Sequence, residues 1–183
     1  AAILAHKQGM DVFVSDFGTI NQAYKNELTA LEIPFEEGQH TEEKILSAST
    51  IIKSPGIADK VPIVQKIKEK NIPIISEIEF AYQFSKAKII AITGTNGKTT
   101  TTSLTYHILE KAGLNVGLGG NIGTSFARQV ATGDKEYFVL ELSSFQLDNC
   151  ITFKPHIAIL CNITEDHLDR YNYQFENYIQ SKF

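Results

Sequence analysis

Two hydrophobic periods take turns along this chain. Short apolar runs of the kind that fill a buried strand are separated by stretches in which apolar residues recur every three or four positions, so parallel strands joined by crossover helices are predicted. In the first part, Ala1 to Gln8 reads as an amphipathic helix stopped by Gly9, and Val12 to Ser15 as a strand ending at Asp16. Thr50 to Lys53 is a second strand, broken by Ser54-Pro55-Gly56, Val61 to Lys70 is helical, and Pro73 to Ser76 is a strand. A connecting helix from Glu77 through Phe84 leads to strands at Ile89 to Ile92, Val116 to Leu118, Tyr137 to Leu142 and Ile157 to Cys161. Helices near 98–112 and 124–131 join the first three of these, and Phe175 to Phe183 is a last helix. In the helix at 98–112, Leu104, Ile108, Leu109 and Ala112 are predicted to form one buried stripe, with Gly113 closing the C-terminus. The class is α/β, with a partial Rossmann-like unit over 1–76 and an incomplete P-loop ATPase-type parallel-sheet unit over 77–183. A helix opening on Ala1-Ala2-Ile3-Leu4 has no N-cap and the last helix has no stop signal, so a strand and a glycine-rich turn are expected upstream and more chain downstream.

The strand at 89–92 runs into Gly94-Thr95-Asn96-Gly97-Lys98-Thr99-Thr100 and then into a helix. Such a turn presents backbone N–H groups to an anion at the positive end of the helix; Lys98 can reach the outer phosphates of a nucleotide, and Thr99 offers a hydroxyl to Mg²⁺. An ATP or GTP site is predicted. The longer loop common in kinases and GTPases has a further glycine where this chain has Ile92, and no guanine-reading Asn-Lys-x-Asp segment is present, which argues against both.

Ligands of open parallel sheets sit outside the carboxyl ends of the strands. Polar residues collect at that edge four times: Asn96, Lys98 and Thr99 after the first strand, Gly119-Gly120-Asn121-Ile122-Gly123 after the second, Glu141 and Ser143-Ser144 at the third, and Asn162 with Thr164-Glu165-Asp166-His167 after the fourth. Glu141 interrupts an apolar run expected to be buried on both faces, so its carboxylate calls for a cation, and Mg²⁺ held by nucleotide phosphates would supply one. His167 lies among Glu165, Asp166 and Asp169, a setting open both to a surface loop and to a metal. Ser143 and Ser144 lack the context of a hydrolase nucleophile and are read as substrate contacts.

Composition narrows the partners. The 183 residues are 43% hydrophobic and 21% charged with a net charge of −4, enough apolar material for one ordinary core or two small ones. No lysine or arginine run offsets the negative balance, so no nucleic-acid partner is expected. There is no apolar run of about 18 residues and no charged-then-apolar leader; a cytoplasmic protein without a membrane partner is the expectation. Cys150 and Cys161 have no zinc-type spacing and are expected to be free thiols.

Taken together, these segments resemble the Mur ligase family, the ATP-dependent enzymes that build the peptidoglycan peptide. Gly94-Thr95-Asn96-Gly97-Lys98-Thr99 is similar to a loop shared by the whole family and by folylpolyglutamate synthetase. More specific are the stretches Leu140-Glu141-Leu142-Ser143-Ser144-Phe145-Gln146-Leu147 and Asn162-Ile163-Thr164-Glu165-Asp166-His167-Leu168-Asp169-Arg170-Tyr171, supported by Gly119 to Gly123 and Ser54-Pro55-Gly56-Ile57. The resemblance implies a cytoplasmic, monomeric ligase of cell-wall synthesis. ATP would phosphorylate the carboxylate of UDP-N-acetylmuramoyl-L-alanine and the amine of D-glutamate would attack the acyl phosphate. It implies catalytic roles for Lys98, Glu141, His167 and Lys182, nucleotide contacts from Gly94 through Thr100, and substrate contacts from Ser54, Pro55, Gly56, Asn121, Ser143 and Gln146. Magnesium would be held by Thr99, Glu141 and His167, and by Lys182 once CO₂ has carbamylated it; without the resemblance Lys182 is an ordinary solvated lysine. Phe17-Gly18 after Asp16 departs from the small hydroxyl and basic pair of many relatives. Another ligase of the Mur or folylpolyglutamate synthetase type is the enzymatic alternative, and a P-loop nucleotide-binding module without ligase activity the non-enzymatic one.

Overall fold

The computed structural model describes residues 1–133 and 135–183. The N-terminal part runs α1 (Ala2–Lys7), β1 (Val14–Asp16), α2 (Gln22–Ala30), β2 (Phe35–Glu37), α3 (Glu42–Leu46), β3 (Ile51–Ile52), α4 (Pro62–Glu69) and β4 (Ile74–Ile75). β1 pairs with β2 and β3 with β4, both in parallel, as two separate two-stranded sheets. Pro62 opens α4, where its missing N–H costs no intrahelical bond.

The second part runs α5 (Glu77–Tyr82), β5 (Lys88–Thr93), α6 (Lys98–Lys111), β6 (Val116–Gly120), α7 (Phe126–Thr132), β7 (Tyr137–Glu141), α8 (Ser144–Leu147), β8 (Ile157–Leu160) and α9 (Phe175–Gln180), with a 3₁₀ turn at Leu168–Arg170. Its sheet is parallel throughout, in the order β6-β7-β5-β8. β5, β6 and β7 are largely buried on both sides, whereas β8 at the sheet edge is mostly exposed. Ile90 and Ile92 of β5 and Val139 of β7 face α6, whereas Ile89, Ala91, Phe138 and Leu140 face α1, α5 and α7. On that second side Phe126 meets Phe138 edge to face at 4.9 Å, a contact worth about 1 kcal/mol beyond its area.

The strands and helices predicted from the sequence are found with ends shifted by a few residues, and α2, β2, α3 and α8 are added. The stripe expected on α6 is corrected. Leu104 and Ile108 are each 57% exposed and Ala112 is also on the surface. Of that stripe Leu109 does pack on the sheet, beside Thr102 and Tyr106 at the spacing i, i+4, i+7, while Leu104 and Ile108 form a second apolar repeat on the neighbouring, exposed face. Gly113, at φ +79, lies one residue beyond the C-cap Ala112 and closes the helix.

Residues from both sides of the boundary expected at Glu77 pack together. Leu4 and Ala5 of α1, Ile75 of β4, and Ile78, Phe80 and Ala81 of α5 join Phe126, Ala127, Phe138 and Leu140 in one cluster. Arg128 adds a two-pronged ion pair to Glu27, tying α7 to α2. Glu79, 1% exposed, holds α5 to the segment before β8 by accepting from the N–H groups of Ile151, Thr152 and Phe153 and from the Thr152 hydroxyl. Among the described residues no helix is long and apolar enough to cross a membrane.

Candidate functional site

The loop between β5 and α6 is pressed onto the segment after β8. Gly94 has φ +143, and a Cβ there would stand 3.0 Å from the Cβ of Cys161 and 3.1 Å from the Asn162 backbone, so only glycine fits without displacing that segment. Thr95 N–H donates to the Asn162 carbonyl at 2.9 Å, and Asn96 and Asn162 exchange two hydrogen bonds of 3.0 and 2.9 Å. The Thr95 hydroxyl meets the Tyr178 hydroxyl at 2.9 Å and accepts from Thr164 N–H at 3.0 Å, which locks the loop to α9 as well. Gly97 takes the N-cap place of α6 with φ +81 and supplies no capping side chain, leaving the first N–H groups of a 14-residue helix open to an anion.

Lys98 and Lys182 converge on this loop. Lys98 Nζ donates to the carbonyls of Gly94 and Thr95, each at 2.9 Å, and Lys182 Nζ to the Gly94 carbonyl at 3.3 Å and the Thr93 hydroxyl at 3.4 Å. Lys182 also lies 4.7 Å from the centroid of the Tyr178 ring. Burial, aided by the neighbouring Lys98 charge, pushes the Lys182 ammonium down to about 8.

Glu141 ends β7 and is 1% exposed. Its Oε2 accepts from the Thr99 hydroxyl at 2.7 Å and its Oε1 from Asn121 Nδ2 at 2.8 Å, while Asn121 N–H donates to the Glu141 carbonyl at 2.8 Å. The close approach needs Gly120, whose φ is +93 and where a Cβ would fall 2.2 Å from the Glu141 carbonyl oxygen. A buried carboxylate with two neutral donors and no ion pair among the described residues is a suitable cation ligand. The Thr99 hydroxyl and Glu141 therefore fit Mg²⁺ beside nucleotide phosphates.

The other predicted residues are placed differently. His167 stands on the loop after β8 with φ +51, its ring 5.0 Å from that of Phe145 and its Nε2 3.5 Å from Asp166 Oδ2. Among the described residues no three His, Cys, Asp or Glu side chains are already grouped for a metal. Of the four expected ligands, hydrogen bonding joins only Thr99 and Glu141; Lys182 is at Gly94 and His167 at Asp166. Ser143 and Gln146 form a capping box at the start of α8, with Gln146 Oε1 accepting from Ser143 N–H at 3.0 Å, so both side chains already have a local structural use. Ser54, Pro55 and Gly56 follow β3, and Arg170 Nη2 reaches the Pro55 carbonyl at 3.4 Å, bringing that loop to the His167 segment. Thr100 is exposed in the first turn of α6. The two cysteines are free. A separate cleft of about 520 Å³, lined by Asp16, Tyr24, Gly123, Thr124 and Arg128 among others, opens between α1, α2 and α7.

Sequence reasoning gives Tyr178 and Arg170 no individual role, and Thr95 only a place among the nucleotide contacts. Tyr178 and Thr95 are 83 residues apart, and no local pattern announces such a contact.

A parallel sheet whose strand β5 feeds a phosphate-type loop, with a buried carboxylate on the neighbouring strand, defines a P-loop α/β protein. Comparison with known proteins narrows the class: the model of the Mur ligase middle domain matches residues 92–183 and that of the MurD N-terminal domain residues 2–62. The chain belongs to the Mur ligase family. It is 59% identical over 182 residues to a UDP-N-acetylmuramoylalanine--D-glutamate ligase of Christiangramia forsetii and 60% identical over 185 residues to the one of Cytophaga hutchinsonii. Each match takes in 100% of this chain and 41% of the relative, so the chain spans about two fifths of the length of the curated relatives it matches. A UDP-N-acetylmuramate-alanine ligase from Thermotoga maritima shares the fold, with a TM-score of 0.58, 22% identity, and coverage of 98% of this chain and 42% of that one.

Proposed function

We propose that this chain is the nucleotide-sugar and ATP-phosphate part of a ligase that joins D-glutamate to UDP-N-acetylmuramoyl-L-alanine. The observation that carries the reading is Glu141, buried at a strand end against the hydroxyl of Thr99 beside the phosphate loop. The names of relatives at 59% and 60% identity support the choice of substrates.

The chemistry follows from the arrangement. The N–H groups of the Gly94 to Gly97 loop and the start of α6 hold the phosphates of ATP, and Lys98 exchanges its two carbonyl partners for the outer phosphates. The γ-phosphoryl group passes to the alanyl carboxylate, leaving ADP and an acyl phosphate. The D-glutamate amine then attacks the carbonyl carbon, inorganic phosphate leaves with the bonding electrons, and the amine proton is lost to solvent or base. Such a reaction needs positioning and charge neutralisation more than covalent help from the protein. Thr99 and Glu141 would hold Mg²⁺ and His167 a second ion, which would neutralise the charge of the transferring phosphate. Asn121 fixes the Glu141 carboxylate, and the Ser54–Gly56 loop, together with Ser143 and Gln146, faces the muramoyl substrate.

Lys182 takes a further role in this reading. Its depressed basicity gives it a larger neutral fraction near neutral pH than an ordinary lysine, and a neutral amine adds to CO₂ with loss of one proton to form a carbamate. That anion, beside Lys98, would be a metal ligand. The reading places the protein in the cytoplasm as a monomer. A radiolabelled-ATP assay on the full-length chain tests it: ADP release requires both UDP-N-acetylmuramoyl-L-alanine and D-glutamate, and release indifferent to both would reduce the chain to a nucleotide-binding module.

A further inference from the structure

Arg170 ends the 3₁₀ turn three residues after His167. Its guanidinium carbon stands 4.5 Å from the centroid of the Phe145 ring, which is itself stacked on Tyr171 at 6.0 Å and 10° between planes. Its one side-chain hydrogen bond among the described residues is the 3.4 Å contact to the Pro55 carbonyl. Of the guanidinium's five N–H groups, four remain without a protein acceptor among those residues. Asp148 lies close enough to feel the Arg170 charge but forms no ion pair with it among the described residues. Lys53 is buried and donates to the Ile57 carbonyl at 2.7 Å and pairs with Asp59 at 3.1 Å, while Asp148 accepts from the Tyr171 hydroxyl at 2.9 Å.

A guanidinium held over an aromatic ring, with free donors and no ion-paired carboxylate among the described residues, is prepared for a two-pronged grip on phosphate oxygens. It also adjoins the loop that leaves the carboxyl end of β3, the place where ligands of parallel sheets bind. We infer that Arg170 is a binding residue for the diphosphate of the nucleotide-sugar substrate, held against the Ser54–Gly56 loop by Phe145. The inference rests on the functional reading above and adds to it a recognition group on the catalytic unit for an anion seated in the other one.

The test uses the full-length enzyme with Arg170→Gln and Arg170→Lys, after thermal unfolding has shown both to be folded. Inhibition constants for UDP and for uridine are measured with the KM values of all three substrates. Arg170→Gln is expected to weaken UDP by about tenfold or more, Arg170→Lys by less, and neither to alter uridine or the KM for ATP. Unchanged UDP inhibition in Arg170→Gln, or equal losses for UDP and uridine, would overturn the assignment. A parent enzyme that UDP does not inhibit would instead bring down the nucleotide-sugar reading, and the role of Arg170 with it.

Discussion

The Thr99 hydroxyl donates to Glu141 Oε2 at 2.7 Å, although 42 residues separate the two in the chain. One stands in the first turn of the helix that follows the phosphate loop and the other at the end of the adjacent parallel strand, so the hydrogen bond marks where two strand ends meet beside the phosphate-type loop. Replacing Glu141 by Gln keeps the shape and removes the charge. The Mg²⁺ concentration for half-maximal activity of the full-length enzyme should rise by about tenfold or more. Identical Mg²⁺ dependence would mean that the carboxylate serves only its hydrogen bonds to Thr99 and Asn121.

Lys98 is partly exposed and its ammonium contacts loop carbonyls rather than core. Lys98→Ala should therefore leave the melting temperature nearly unchanged while ATP turnover falls by about 100-fold or more. Turnover at the parent's level would remove this lysine from the phosphate site.

The helix α9 carries Tyr178, which meets Thr95, and Lys182 follows two residues after the helix ends. Lys182→Ala should cost about 100-fold in activity, and formate or acetate should restore part of it by filling the place of a carbamate. Full activity of this variant under CO₂-depleted conditions without added carboxylate would contradict the proposed modification.

A fourth expectation concerns stability. Burial alone would raise the pKa of Glu79, but the Thr152 hydroxyl and the N–H groups of Ile151, Thr152 and Phe153 outweigh it and hold the carboxyl below its ordinary 4.5. The unfolded chain therefore takes up this proton first as the pH falls. The stabilisation is fully present above the ordinary glutamate range and is lost as pH drops through the folded-state value. Glu79→Gln should lower unfolding free energy at pH 7 by about 1–3 kcal/mol and flatten its acid dependence, measured by urea denaturation at several pH values. Equal acid slopes in variant and parent would show that Glu79 is not the group responsible.

What the sequence disclosed follows from how local each signal is. The strand at 89–92, the loop from Gly94 to Thr99 and the polar strand ends are contiguous patterns, and each reappears at the carboxyl edge of the sheet. The segment from α2 through α3 went unread because β2 is three residues long and two of them are glutamates. Glu36 is buried only because Ser15 and Thr41 come to it from elsewhere in the chain. The start of α8 is legible in the sequence, since Ser143 with Gln146 three residues on is a capping-box pattern. The contact of Lys182 with Gly94 spans 88 residues and arises from α9 docking on the loop, which no local periodicity encodes. The buried face of α6 was misjudged because two apolar repeats lie side by side on that helix and only the sheet decides between them.

The transfer of one oxygen atom tests the account most directly. UDP-N-acetylmuramoyl-L-alanine labelled with ¹⁸O in the alanyl carboxylate is turned over by the full-length enzyme with ATP and D-glutamate, and the phosphate formed is examined by mass spectrometry. If the carboxylate is activated as an acyl phosphate at the Lys98 and Glu141 site, one labelled oxygen should appear in inorganic phosphate. Phosphate released without label, with amide product formed all the same, would contradict phosphoryl transfer to the carboxylate.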